Sequence, residues 1–579
     1  MKHAYTIKMN ILGINYGHPD AAAILLKKGE WLAGSEEERF TRIKHWEGFP
    51  SESISFCLDS SGITFDQLDF IAVAGDKTAN MYKKLLFLLN HPTYFKKSKH
   101  PFGRFSSVWK QQFPHWLLSS KLKFVEHHRA HLASAFYSSP FEEALIYSVD
   151  GSGDFSTSMW GIGKGNKINI MGNTSFPHSL GLFYTASSQY LGFHEVGDEY
   201  KVMGLAAYGN PIYFEKMLQM FHFQKDGSFK LNGSYFIWDN PLIRKNNGAG
   251  CPGISLFYSK QWTSEWGNPR LIGEEISTFH ADFAASTQKV FEHILMYRLN
   301  YLAGKCDSRN LCLAGGSIQN SVAMGKIKRF TPFRNIYIPS ASNDAGLSLG
   351  AAQWLYFQLL NGKRKKPIYH SFKGISYSDD QIKLICNQEK LIFQTFNGEE
   401  MIQKVTDILL SGGIIGWFQG NAEFGPRALG NRSILANPSI PDIKDKLNGI
   451  VKNREKFRPF ALSVLADYQQ DFIGKNDFLP FMEQVLVPEG KEMRQIQPLF
   501  HVDHSIRIHS VRKTENDIFY QLIKNFHSKS GIPALLNTSF NVNEPIVNSP
   551  SDAIRCFQRT ALDYLIMGKI LIKKQKDEK

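Results

Sequence analysis

Four times in its first 360 residues the chain passes between an apolar segment and a glycine-bearing turn, and this recurrence restricts its fold more than any other feature. Residues 10–26 read NILGINYGHPDAAAILL: an apolar strand reaching Gly13 and Gly17, a polar turn, then a second apolar strand. Residues 144–161 repeat the theme as ALIYSVD, GSGD and FSTSMWG. Residues 310–325 give NLCLAGG followed by SIQNSVAMG, which opens a helix, and 344–356 give DAGLSLGAAQWLY, a turn into a Gly/Ala-rich helix. Glycine at such turns lets backbone N–H groups approach a bound ligand.

Two strand–turn–strand loops followed by a strand–Gly-Gly–helix unit are the grammar of the duplicated actin-like ATPase fold, in which two lobes pinch a nucleotide. Residues 357–371 then end a helix and enter a charged stretch containing Pro367, a boundary signal. Beyond it the texture changes to mixed α/β. Helices are expected at 401–410, 517–528 and 551–557, and strands at 412–418, 461–465 and 506–511. The expected fold class is α/β, with an actin-like domain over 1–365 and a second α/β domain over 366–579. No repeat of solenoid period and no low-complexity segment interrupts either.

Composition narrows the class further. Of 579 residues, 43% are apolar and 21% charged, which excludes a disordered, collagen-like or coiled-coil chain. Sixty-seven Lys and Arg against 53 Asp and Glu leave a net charge of +14, a balance that favours anionic partners. Clusters at 96–99, 363–366 and 573–574 read as solvated surface charge rather than as a nucleic-acid groove. Cysteines 57, 251, 306, 312, 386 and 556 are widely spaced and never form CxxC, so free core thiols and a cytoplasmic location are expected, without a disulfide frame or zinc ribbon. No apolar run is long enough to cross a membrane. The opening MKHAYTIKMNILGINYG is polar ahead of its first strand, unlike a secretion signal, and Met9 is an alternative start.

Two sets of residues carry chemistry. His127 and His131 stand at i and i+4 in the helical segment FVEHHRAHLASAFYSS and so share a face. Two such imidazoles can hold one transition metal with carboxylates completing the site; a core or capping pair is the alternative. Asp150 ends an apolar strand just before Gly151, and Asp344 opens a helix, where helix capping is its alternative role. A His2Asp2 set without cysteine leaves iron, manganese and zinc open, any of them a Lewis acid for a carbonyl or phosphate oxygen. In the second domain QGNAEFGPRALGNRS (419–433) and LNGIVKNREKFRPF (447–460) interleave Arg427, Arg432, Lys452, Arg454, Lys456 and Arg458 with Gly, Pro and Phe. Rigid turns that present guanidinium forks grip phosphate or carboxylate at two points. Arg507 lies on the alternating strand SIRIHS, and Asn537, Thr538 and Ser539 follow a buried strand, with donors suited to an oxyanion or triphosphate. No aromatic stacking motif for RNA accompanies them, so nucleic acid is not an expected partner.

These residues fall within longer motifs. GSEEERFTRIKHWEGFP (34–50), HHRAHLASAFYSSPF (127–141), GDEYKVMGLAAYG (197–209), EFGPRALGNRSIL (423–435), VKNREKFRPF (451–460) and LLNTSFN (535–541) together resemble the NodU/CmcH family of O-carbamoyltransferases, which includes tobramycin and cephalosporin carbamoyltransferases. The likeness runs from about residue 9 to 573 in the expected order. It implies an N-terminal domain similar to the Kae-type members of the actin-like (ASKHA) superfamily and a C-terminal YrdC-like domain. By the same resemblance the YrdC-like domain uses ATP (with Mg) and carbamoyl phosphate to make carbamoyl-adenylate and pyrophosphate. The N-terminal domain then transfers the carbamoyl group to a hydroxyl of a small-molecule or glycoside acceptor and releases AMP, beside a single metal that is iron in the best-known relative. Carried over position by position, His127, His131, Asp150 and Asp344 match the metal ligands. Lys44 and the loop Gly315, Gly316, Ser317, Ile318 and Gln319 match carbamoyl-adenylate contacts. Arg427, Lys452, Arg458, Arg507, Asn537, Thr538 and Ser539 fall in motifs that bind carbamoyl phosphate or ATP.

One departure concerns the base. The family pattern places His-Asp after the first strand, whereas here the order is His18-Pro19-Asp20, so both His18 and Asp20 stand as candidates for the catalytic base. Leu462 replaces a proline of the pattern. Residues 210–275, rich in Phe, Trp, Asn and Gly, are expected to shape the acceptor pocket, although the acceptor itself is not legible, and a homodimer is left open. Two rival functions remain at this level: a fused tRNA threonylcarbamoyladenosine-type synthase, and a non-catalytic actin-like nucleotide-binding module.

Overall fold

The apolar segments around the first glycine turn pair as antiparallel strands β1 (Asn10–Asn15) and β2 (Ala22–Lys27), with β3 (Glu30–Glu36) beyond β2. The structure, a computed structural model, describes residues 9–91, 105–116, 118, 121–238, 255–452, 454–475 and 477–575. The basic run at 96–99, Cys251 and part of the expected acceptor region (239–254) lie outside these. The chain divides into two compact units, Met1–Ile368 and Tyr369–Lys579.

In the first unit β4 (Phe70–Ala74) runs parallel to β1, and β5 (Leu122–Val125) runs parallel to β4. The sheet order is β3-β2-β1-β4-β5. A second sheet repeats this plan. It contains β6 (Glu143–Gly153), β7 (Ser156–Lys164) and β8 (Lys167–Ser175) as an antiparallel meander. After a two-stranded ribbon of β9 (Phe221–Phe223) and β10 (Phe229–Leu231), the parallel strands β11 (Asn310–Ala314) and β12 (Asn335–Tyr337) complete the order β12-β11-β6-β7-β8. Each sheet is thus a three-strand meander with two parallel strands added beside its first strand.

The sequence reading placed a GSGD turn after Asp150. Instead β6 continues to Gly153, and the reversal is made by Asp154 and Phe155, both left-handed at φ 48° and 67°. The pairing of β6 with β7 shifts register between Val149 and Gly153, and a bulge of this kind re-aims the side chains within it, Asp150 among them.

Helix α1 (His127–Ser138) follows β5, with Arg129 its one exposed residue. A helix apolar or pairing on every side belongs inside a core, and α1 packs on the second sheet. Helix α2 (Ser321–Phe330) follows β11, and α3 (Gly346–Gln353) packs on the first sheet and crosses α1. Glycine makes both contacts of α3: a Cβ on Gly350 would lie 1.8 Å from the Ala130 carbonyl oxygen, and one on Gly13 would lie 2.1 Å from that of Ser348.

The second unit is built on one nine-stranded sheet. Its strands are β13 (Phe393–Thr395), β14 (Ile415–Phe418), β15 (Arg432–Ala436), β16 (Ala461–Leu465), β17 (Gln484–Leu486), β18 (Ile506–Val511), β19 (Ala534–Ser539), β20 (Tyr564–Met567) and β21 (Ile570–Lys573). They are ordered β13-β21-β20-β14-β15-β19-β16-β18-β17. Helices α4 (Gly398–Leu410), α5 (Asp517–Ser530) and α6 (Pro550–Arg559) bury apolar faces in its core. β14 begins three residues later than expected because Gly412, left-handed at φ 87°, follows the end of α4. Leu462 is fully buried on β16. Among the described residues no helix is long and apolar enough to cross a membrane, and cysteines 57, 306, 312, 386 and 556 are unpaired.

Candidate metal centre and anion site

The crossing of α1 and α3 sets the first site. His127 and His131 lie on the first turns of α1, which Glu126 caps by accepting the Arg129 N–H at 2.8 Å. Asp154 accepts the N–H of His127 at 2.9 Å, and Gly153 leaves room for the His127 ring, since a Cβ there would lie 2.1 Å from Cγ. Asp150 comes from the bulge in β6 and Asp344 from the turn before α3. His127 Nε2 stands 3.0 Å from Asp150 Oδ2 and 3.7 Å from Asp344 Oδ1. His131 Nε2 stands 3.5 Å from each of the same two oxygens. Such separations are those of ligands around one first-row cation.

The chemistry of the four residues fits a cation. Both imidazoles are fully buried, and neither ring nitrogen of His131 has a hydrogen-bond partner, nor has Nδ1 of His127. A buried polar group left so is costly unless something binds it. Burial opposes ionisation of both aspartates. At Asp150 the His127 hydrogen bond and the charges of the two histidines win and hold its pKa well below the usual carboxylate range. At Asp344 burial and the negative Asp150 win and push it well above. Nitrogen and carboxylate donors without sulfur suit iron, manganese or zinc. His128, between the two, instead bonds Ser148 Oγ at 2.8 Å.

The glycine loop lies beside this cluster. Gly316 N–H donates to Asp150 Oδ1 at 3.1 Å, and Gly315 N–H to the Ser342 carbonyl at 2.7 Å. Gly315 is left-handed at φ 100° and passes so close to β6 that a Cβ would lie 2.1 Å from the Val149 carbonyl oxygen. Ser317 and Gln319 are half-buried, whereas the side chain of Ile318 is in the core and its N–H donates to the Gly315 carbonyl at 3.0 Å. The His18 ring centre is 5.2 Å from that of His127. Asp20 turns toward His45: Oδ1 is 2.7 Å from His45 Nδ1, and Oδ2 accepts from Asn343 Nδ2 at 2.6 Å. Lys44 is exposed, and its charge acts on His45. The sequence reading passed over His45 and Asn343, although His45 sits inside the 34–50 motif beside Lys44.

In the second unit Arg507 is crowded by Arg427, Arg454 and Arg458. Burial and these three like charges hold its pKa well below the usual guanidinium value, and its Nε has no protein partner. Register places Arg507, Ala461 and Asn537 side by side on three adjacent strands, so their side chains share one face, with the small Ala461 in the middle. The remaining residues divide. Lys452 Nζ donates to the Ser539 carbonyl at 2.5 Å and to the carbonyl and Oδ1 of Asn541 at 2.6 and 3.0 Å. Its ammonium therefore shapes the loop after β19. Asn537 Nδ2 donates to the Ala428 carbonyl and to Ser463 Oγ. Strand alternation puts Ser539 on the face of Asn537 and Thr538 on the other. Arg432, read from sequence as one of the presented cations, is instead fully buried and donates to the carbonyls of Gln419, Gly420 and Ile375, and Lys456 is exposed.

Comparison with known proteins bears on what these sites serve. The family model described as "Carbamoyltransferase N-terminus" matches residues 10–353, and that described as "Carbamoyltransferase C-terminus" matches 406–574. The chain is 35% identical to an uncharacterized protein of Synechocystis sp. over 98% of this chain and 97% of that one. It is 34% identical to nodulation protein NolNO of Sinorhizobium fredii over 96% of this chain and 79% of that one. Among solved structures, component A of (R)-2-hydroxyglutaryl-CoA dehydratase from Acidaminococcus fermentans gives a TM-score of 0.31 at 13% identity, over 60% of this chain and 97% of that one. With both of its models matched in order and full-length relatives at this identity, the chain belongs to the carbamoyltransferase family of enzymes.

Proposed function

We propose that the chain is an ATP-dependent O-carbamoyltransferase that makes carbamoyl-adenylate in its C-terminal unit and transfers the carbamoyl group to an acceptor hydroxyl in its N-terminal unit. The acceptor is a small molecule or glycoside. The repeated sheet topology of the first unit supports its reading as an actin-like, Kae-type domain, and the motifs of the second unit support a YrdC-like one. The non-catalytic alternative falls with membership of an enzyme family.

The observation that carries the reading is the crowding of Arg507 by three further arginines, Arg427, Arg454 and Arg458. Like charges pressed together at half-buried positions are unfavourable alone and favourable around a polyanion. Carbamoyl phosphate and ATP are such anions. In the C-terminal unit, water takes the phosphoryl group from carbamoyl phosphate, leaving carbamate and inorganic phosphate. A carbamate oxygen then attacks the α-phosphorus of ATP, and pyrophosphate leaves. Arg427, Arg458 and Arg507 offset the charge that gathers, while Lys452 and Asn537 hold the surrounding loops in place.

In the N-terminal unit, His127, His131, Asp150 and Asp344 would hold a metal, which supplies Lewis acidity to the adenylate's oxygens. The Gly315–Gln319 loop and Lys44 orient the phosphate. His18 or Asp20 takes the proton of the acceptor hydroxyl. The hydroxyl oxygen bonds the carbamoyl carbon, the bond from that carbon to the phosphate oxygen breaks, and AMP leaves.

Incubation of the full chain with carbamoyl phosphate, Mg-ATP and a library of hydroxyl compounds tests the proposal by mass spectrometry. The expected result is an acceptor heavier by one carbamoyl group, with AMP and pyrophosphate formed alongside. Carbamoylation that proceeds equally well without ATP would overturn it.

A further inference from the structure

Asp20 and His45 are both non-glycine residues in the left-handed region, at φ 61° and 53°. Strain of this kind persists where surrounding structure imposes it and gathers at functional sites. Here the two strained residues face each other across a 2.7 Å contact. The backbone around them is cross-tied: Ala21 N–H donates to the Trp46 carbonyl at 2.7 Å, Gly17 N–H to that of Glu47 at 3.2 Å, and His45 N–H to Glu38 Oε2 at 2.9 Å. On its far side the imidazole approaches Gly197, where a Cβ would lie 2.7 Å from Nε2. Gly197 opens the 197–209 motif, so three separated segments close around one ring.

We propose that His45 is a positioning residue of the transfer site: it orients the Asp20 carboxylate, whose other oxygen holds Asn343 beside Asp344, and Asp20 is thereby a strut, which leaves His18 as the base. The inference rests on the function proposed above. Both oxygens of Asp20 already accept short hydrogen bonds, at 2.7 and 2.6 Å. A substrate proton taken by Asp20 would discharge the carboxylate and weaken its hold on the turn after β1 and the loop before α3, since charge-assisted hydrogen bonds are the stronger ones. The charged groups that face the His45 ring are Asp20, Glu38, Lys44 and, from the neighbouring helix, Glu199. Burial alone would lower its pKa, but the Asp20 and Glu38 carboxylates outweigh burial and Lys44 and raise it to about 9. His45 is therefore a cation at neutral pH and donates through Nδ1.

The test uses the full chain with its metal. His45→Ala should lower the kcat of transfer about 10- to 100-fold, the range for residues that orient a metal site from behind, with pyrophosphate formation unchanged. His45→Asn, whose amide N–H can reach Asp20, should recover much of the loss. Asp20→Asn should retain more transfer than His18→Ala. NMR of the histidine rings should show His45 titrating well above an ordinary imidazole in the wild type and near about 6.5 in Asp20→Asn. Wild-type kcat in His45→Ala, no recovery in His45→Asn, greater loss in Asp20→Asn than in His18→Ala, or an ordinary His45 titration in the wild type would each overturn the proposal. If His45→Ala does not fold, His45→Asn and the titration decide. If the wild type transfers no carbamoyl group to any hydroxyl, the functional reading has failed, and the titration still judges the clamp.

Discussion

At the scale of single residues, burial decides which histidines can work and which support. His509 on β18 is buried and bonds Ser463 Oγ at 2.9 Å, and Ser463 in turn accepts from Asn537. Burial strips the imidazolium of water and takes the His509 pKa down to about 3. The unfolded chain, with an ordinary imidazole near 6.5, binds the proton in that interval and the folded chain does not. Stability from this residue is thus present above about pH 6.5 and declines as pH falls toward 3. At pH 5 the loss is about 2 kcal/mol relative to pH 7. Urea denaturation at the two pH values should show this drop, and His509→Gln should reduce the difference between them. An unchanged difference would mean that the ring is hydrated in the folded state. Residues also differ in how far sequence discloses them. The i, i+4 histidines and a strand-end aspartate announce through local spacing a cluster that could hold a metal. The His45–Asp20 contact does not, because it joins residues 25 apart through two left-handed conformations that no periodicity encodes. Nor does sequence say which cation is occupied by carbonyls: Arg432 and Lys452 read like Arg458 until the loops close around them.

At the scale of elements, the glycine turns and apolar runs were enough to place β1, β2, β6, β7, β11 and α3, since each is signalled within about ten residues. Sheet order was not, because β11 joins β6 across more than 150 residues of chain. The β6 bulge was missed as well, since GSGD carries the composition of a turn while its backbone remains strand. What fixes the candidate metal site is the crossing of α1 and α3, at which Gly350 meets Ala130. Gly350→Ala must move one helix, and overpacking of this kind costs about 1–3 kcal/mol. Because Asp344 immediately precedes α3 and the histidines begin α1, the same shift should lower bound metal. Gly151→Ala serves as the control, with no atom within 4 Å of its added Cβ, and should change stability by less than about 0.5 kcal/mol. Thermal melts with metal analysis of both variants check this. Equal stability and metal in the two would mean that the crossing has slack.

At the scale of the whole molecule, the two units carry clusters of side chains with opposite electrostatic demands. The four donors of the first unit bring two carboxylates that call for a cation, and the arginines of the second call for an anion. If each unit serves its own half-reaction, a lesion in one should leave the other intact. Arg458→Ala removes one of the charges around the polyanion and should reduce pyrophosphate formation from carbamoyl phosphate and ATP about 100-fold or more, the scale of losing a preorganised transition-state donor. Its bound metal should stay at the wild-type level. His131→Ala removes a ligand and should lose metal and transfer together while pyrophosphate formation persists, since none of the residues assigned to adenylation belongs to the first unit. The two variants therefore fail in opposite assays, which a simple loss of stability would not produce. Full metal in His131→Ala would remove that residue from the ligand set, and full pyrophosphate release in Arg458→Ala would remove the arginine crowd from the adenylation step.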